Sequence, residues 1–207
     1  MRQFGHYYGI VTEGNLLATY TKSEIRAAAQ SRRSFRTAEA KLFEEFIAQE
    51  SFTSTKRFDV FLSHSTRDAE IILGVKAMLE GMGKSVYVDW INDRQLDRSH
   101  VTPATAATLR SRMRQSQSLL YVHSDNSTES RWMPWELGYS DGLHGAVAIL
   151  PITEYHEEEF RGQEYLGIYP YVVRNSLSNF LEVRRSRYDS LNWTSWVQNP
   201  RTFVKTD

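Results

Sequence analysis

The hydrophobic rhythm of the chain changes near residue 57. From there, short apolar runs that end in polar residues alternate with stretches of helical periodicity. "RFDVFLSHS" reads as a buried strand closing on hydroxyl residues. "DAEIILGVKAMLEGMG" reads as an amphipathic helix with Asp68 near its start and Gly81 or Gly83 near its end. "KSVYVDW" predicts a second strand, with Tyr87 and Asp89 on one face and Val86 and Val88 on the other. A polar loop, "INDRQLDRSHV", leads into "TPATAATLRSRMRQSQ", a helix with Pro103 at its first position. "SLLYVHS" is a third strand, "RWMPWELGYSDGLHG" a third helix, "AVAILPI" a fourth strand and "IYPYVV" a fifth, where Pro170 marks an edge or a strand start. This alternation predicts an α/β domain, a parallel sheet with helices on both faces. Ligands of such sheets bind at the carboxyl ends of the strands.

Two segments flank that pattern. Residues 1–56 predict a helical extension. "TKSEIRAAAQ" opens with a capping box, Thr21 and Glu24, and "TAEAKLFEEFIAQE" sets Leu42, Phe43, Phe46 and Ile47 at helical spacing. The Ser/Thr-rich joint "SFTSTKR" separates them from the main domain, residues 57–175. After it, Leu177, Phe180, Leu181 and Val183 recur at helical spacing and "NWTSWVQ" suits a short helix. Residues 176–207 therefore predict a helical segment packed on the domain.

Composition narrows the function classes. With 207 residues, 41% hydrophobic and 13% aromatic, the chain has enough apolar material for one sizeable packed domain. Lys plus Arg and Asp plus Glu number 25 each, which argues against a broadly basic nucleic-acid-binding surface. There is no cysteine, so disulfides, thiolate zinc sites and cysteine nucleophiles are excluded. No run approaches a membrane span and no signal-peptide pattern opens the chain, which predicts a cytoplasmic protein without nucleic-acid or membrane partners.

The strand-end loops hold the candidate chemistry. In "SHSTRD", Ser63, Ser65 and Thr66 can cap the following helix, or the loop can offer backbone amides to phosphate. A phosphate-binding Gly-rich loop is absent. Asp89 can orient a ligand hydroxyl or simply cap its loop. In "SRWMPWELGY", Glu136 falls in the first or second turn of a helix. It can be an acid complementing the helix dipole, with Trp132 and Trp135 as packing anchors, or a carboxylate in an aromatic-walled pocket.

"RFDVFLSHS", "KSVYVDW", "SLLYVHS", "RWMPWEL" and "AVAILPI" occur in the order and spacing of the Toll/interleukin-1 receptor (TIR) domain, and over residues 57–175 the chain resembles that family. Its wording is most similar to bacterial TIR proteins such as those of Thoeris antiphage systems. The resemblance implies a flavodoxin-like three-layer fold around a central five-stranded parallel sheet. It also implies NAD as substrate, with no separate cofactor or metal. Trp132 and Glu136 match the family's Trp-x-x-x-Glu pattern, which implies that Glu136 is catalytic. The substrate cleft is then expected from Ser63, His64, Ser65, Arg67, Asp68, Tyr87, Asp89, Trp90 and Trp132. Breaking the ribose–nicotinamide bond releases a neutral leaving group, so one carboxylate facing an oxocarbenium-like ribose suffices. The expected activity is that of an NAD glycohydrolase or cyclase making an ADP-ribose-derived signal, with self-association through TIR contacts and a phage-derived trigger. A non-enzymatic TIR adaptor and a nucleoside deoxyribosyltransferase-like enzyme are the competing readings.

Overall fold

The computed structural model describes residues 17–35, 56–93, 102–156, 164–175, 180–186 and 188–203. At its centre, β3 (Phe58–Ser63), β4 (Val86–Tyr87), β5 (Ser116–His123), β6 (Val147–Thr153) and β7 (Tyr171–Asn175) form a parallel sheet in the order β4-β3-β5-β6-β7. These are the five expected strands. Apolar runs make them because strands covered on both faces have no polar side to show.

Three helices cover one face: α1 (Lys22–Phe35), α2 (Ala69–Gly81) and α6 (Trp193–Gln198). Ile25, Ile72, Val75, Leu79 and Trp196 pack there on Val60, Leu62, Leu120, Val122 and Leu150. The opposite face carries α4 (Pro103–Arg114) and α5 (Met133–His144), whose Leu109, Met113, Met133 and Leu137 meet Phe61, Tyr87, Leu119, Tyr121 and Ile149. Residues adjacent along each strand enter different clusters, as the period of two demands. A single turn, α3 (Asp89–Asn92), follows β4. The second strand is thus shorter than expected: Asp89 and Trp90 stand on this turn and not on the strand. No helix among the described residues is long and apolar enough to cross a membrane.

The flanking segments extend the sheet. β1 (Leu17–Ala18) pairs antiparallel with β7, and β2 (Tyr20–Thr21) pairs parallel with β6. The two thus wedge a bent segment between β6 and β7, which are registered only at Ile149 and Tyr171. The expected capping box starts α1: Thr21 N–H donates to Glu24 Oε2 at 3.0 Å, and Glu24 N–H to Thr21 Oγ1 at 3.3 Å. The second helix expected over 37–50 lies outside the described residues. At the other end the helix expected around Leu181 and Val183 is a correction. β8 (Leu181–Ser186) and β9 (Asp189–Asn192) continue the sheet as an antiparallel hairpin. Leu181 and Val183 enter the core two residues apart while Phe180 is exposed, so the deciding period is two. The short helix of "NWTSWVQ" is α6, capped by Asn192, whose Oδ1 accepts from Ser195 N–H at 2.9 Å.

Helix α1 lies against α2 at Gly74. A Cβ there would stand 2.1 Å from the Ile25 carbonyl oxygen and 2.7 Å from Ile25 Cγ2. Because the first obstacle is backbone, the two helices must separate to admit a methyl. Gly74→Ala is expected to destabilise the protein by about 1–3 kcal/mol, in the range of overpacked cores. The helical gain of alanine over glycine will not offset it. Urea denaturation reads the loss, and limited proteolysis reads earlier cleavage within α1.

Candidate active site

The order β4-β3-β5 places a reversal at β3 and β5: the chain leaves β3 through α2 on one face and returns to β5 through α4 on the other. A crevice opens at the carboxyl ends of strands at such a point. Ser63 ends β3 and is registered with Tyr121 of β5. Helix α5 begins beside them after the loop from β5. Pro134, in its first turn, needs no amide partner, and Gly145, at φ +70°, ends it in the left-handed conformation.

Glu136 sits in that first turn with 0% of its surface exposed. Ser63, equally buried, donates its hydroxyl to Glu136 Oε2 at 2.6 Å. A surface acid serving only the helix dipole needs neither the burial nor the donor. The dipole still favours the carboxylate at this end of the helix. Trp132 is buried at the helix entry, edge-on to Trp135 at 5.5 Å. Trp135, half-buried, stacks on Tyr139 beneath the Arg110 guanidinium. Tyr121 was not anticipated from the sequence, where it read only as a strand residue. Burial first, then a hydrogen bond with Tyr165 and the nearby Glu136 charge, push its phenol above the ordinary range, against an opposing bond with Ser127.

The other expected cleft residues divide into groups. His64 and Asp89 are buried together, with His64 Nε2 3.3 Å from Asp89 Oδ1, and Trp90 joins them through its indole. Ser65 caps the turn 66–68 by accepting from Arg67 N–H. Asp68 ties two loops, accepting from Ser124 Oγ and, at 2.6 Å, from Asn126 Nδ2. The exposed Arg67 pairs with Glu129 on the loop that leads to α5. Tyr87 is withdrawn from the cleft: it is fully buried, stacks on Phe61 at 5.1 Å and gives its hydroxyl to Asp93 at 2.7 Å. Arg112 forks onto the same carboxylate with two bonds of 2.7 Å. Most of the loop between α3 and α4, residues 94–101, lies outside the described residues. Among those described, no cluster of three or more His, Asp or Glu could hold a metal.

No family model matches the chain. It is 46% identical over 156 residues to a Bacillus cereus (strain MSX-D12) protein named as a probable 3' cyclic ADP-D-ribose synthase, ThsB', covering 73% of this chain and 81% of that one. It is 32% identical over 114 residues to a Cytobacillus dafuensis protein named provisionally as a cyclic ADP-D-ribose synthase, TIR2, covering 55% of this chain and 30% of that one. Among solved structures, the TIR domain of the Toll-related receptor TRR-2 from Hydra magnipapillata overlaps 55% of this chain and 82% of its own, at 20% identity and a TM-score of 0.40.

The Tyr87–Asp93–Arg112 group ties the end of β4 to α4. Burial favours neutral Asp93, but the Arg112 fork, the Tyr87 hydroxyl and the Arg112 charge together hold its carboxyl below the ordinary range. Its contribution to stability is therefore present above the unfolded value of about 4 and is lost as pH falls through the lower folded value. Arg112→Met is expected to cost about 3–5 kcal/mol at neutral pH, because it leaves a buried charge unpaired. Urea titrations at pH 7 and pH 3 check this. The gap between variant and wild type narrows as pH falls below the unfolded value, because the wild type's share from ionised Asp93 is lost there.

Proposed function

The chain belongs to the bacterial TIR-domain family of ThsB'-type proteins, similar to the TIR components of Thoeris systems, and on that premise we propose that it cleaves NAD and closes the ADP-ribose into a cyclic signal for antiphage defence. The observation that carries the catalytic assignment is the enclosed Glu136 carboxylate, held by Ser63 at the switch point of the sheet.

The bond between ribose C1′ and the nicotinamide nitrogen breaks, and its electron pair leaves with nicotinamide, which becomes neutral. Positive charge moves to the ribose. Glu136 faces that charge and stabilises it without solvent to screen the attraction. An acceptor atom of the same ADP-ribose then bonds to C1′, and the proton it loses passes to Glu136. Ser63 keeps the carboxylate oriented. Its hydroxyl favours the charged form, which burial alone would disfavour. Since Glu136 has no exposed surface, ribose reaches it only when the side chains above it part. That suits a cytoplasmic enzyme that self-associates and turns over only after a phage-derived trigger.

Purified protein is incubated with NAD, with and without extract of phage-infected cells, and nicotinamide and cyclic product are followed by chromatography and mass spectrometry. Glu136→Gln is expected to lose at least about 10²-fold in turnover while melting at or above the wild-type temperature. Ser63→Ala is expected to lose about 10–100-fold, the worth of a hydrogen bond to a charged group. Full activity of a folded Glu136→Gln protein refutes the assignment. Absence of nicotinamide release in the triggered wild type moves the reading to an adaptor that acts by assembly.

A further inference from the structure

Trp90 keeps 36% of its surface exposed at the carboxyl end of the sheet, yet its indole is tied down. Its Nε1–H donates to His64 Nε2 at 2.9 Å, and its main-chain N–H donates to Asp89 Oδ1 at 2.7 Å. An indole N–H can only donate, so His64 Nε2 accepts from it, and the Asp89 Oδ1 that takes the Trp90 main-chain N–H lies 3.3 Å from the same nitrogen. The ring proton is then on Nδ1, which donates to the Leu62 carbonyl at 2.7 Å. The imidazole is 1% exposed, and this single tautomer serves both bonds. A histidine that merely filled core space would not need two directed bonds, one of them to a surface aromatic.

Ser63, which holds Glu136, and His64, which holds Trp90, are consecutive residues, with Cα atoms about 3.8 Å apart. The end of β3 thus anchors a buried carboxylate through one side chain and an open aromatic face through the next, and successive side chains leave a strand on opposite sides. A dinucleotide laid across the carboxyl ends of the strands is long enough to meet both. An indole already immobilised loses little further freedom when a base stacks on it.

We propose that His64 is a positioning residue that holds Trp90 as the stacking platform for a planar base of the dinucleotide. The assignment rests on the NAD-cleaving reading above. His64 touches no reacting atom; it acts through the indole and therefore through substrate affinity.

Two measurements test this. In steady-state kinetics, His64→Leu raises KM for NAD about tenfold, the worth of one ordinary hydrogen bond, with kcat nearly unchanged. His64→Gln returns KM toward wild type, because its amide oxygen can accept the Trp90 N–H where Nε2 did. Unchanged KM in His64→Leu overturns the proposal. So does a joint fall of kcat and melting temperature that Gln does not relieve, since that marks a purely structural histidine. The second measurement needs no turnover. Glu136→Gln protein is titrated with NAD and with ADP-ribose while tryptophan fluorescence is recorded, and Glu136→Gln/Trp90→Phe isolates the Trp90 share among the five tryptophans. Quenching at Trp90 by both nucleotides places adenine there; quenching by NAD alone places nicotinamide. Quenching by neither overturns the platform. An inactive wild type whose Glu136→Gln form still shows Trp90 quenching defeats the cleavage reading and leaves the platform standing.

Discussion

A carboxylate with no exposed surface is costly unless it is hydrogen-bonded, and the bond from Ser63 to Glu136 offsets part of that cost. The bond joins residues 73 positions apart, so it exists only when β3, β5 and α5 are all in place. The register of β3 on β5, which sets Ser63 against Tyr121, is the constraint behind it. A slip of one residue would turn Ser63 to the other face of the sheet and strand the carboxylate among Leu137, Met133 and Tyr121. The apolar clusters above and below the sheet prevent such a slip, because the same shift would reverse Val60, Phe61 and Leu62 as well.

The segments flanking the domain serve that registry. The bent strand at residues 17–21 fills the gap between β6 and β7, and α1 then lies along α2. Lys22 pairs with Asp125 and Glu154, on the loops that follow β5 and β6. Each exposed pair is worth about 0–1 kcal/mol, so neither holds the fold alone. They do tether the loop that carries the chain from β5 to Trp132 and Glu136. Asp68 grips the same loop through Ser124 and Asn126. Thus the loop ahead of α5 is held by β3's own connection and by α1.

Much of this was legible in the sequence. The five parallel strands follow from apolar runs bounded by polar residues, and Pro134 with Gly145 frames α5. Thr21 and Glu24 announced α1, and the bond pattern is the reciprocal one that their spacing requires. What was not legible depends on partners distant in sequence. Leu181 and Val183 fit either a helix or a strand until β7 and β9 are beside them. Tyr87 at the end of an apolar run looks like a cleft residue, but a phenol there finds Asp93 and Arg112 and is consumed in packing. Ser63 could be read as a helix cap because its real acceptor is on another helix. No local rule couples Tyr121 to Glu136, although a buried tyrosine always raises the question of where its hydroxyl goes.

The enclosure of Glu136 also bears on which product forms. Once nicotinamide has left, water and an atom of the same nucleotide compete for C1′. An internal acceptor gains when its reacting atom is already close and oriented, since the entropy of bringing two molecules together no longer has to be met. Water gains when the site is wet. Here the carboxylate has no exposed surface and lies on the helix that carries Met133 and Leu137, so a site that closes again over the ribose holds little solvent. In the mechanism proposed for Glu136, excluding water would strengthen its attraction to the ribose cation and at the same time starve the hydrolytic branch. On that proposal a single feature, burial of the carboxylate, would favour both breaking the glycosidic bond and closing the ring, and it would tie cyclisation to the movement that lets the substrate in.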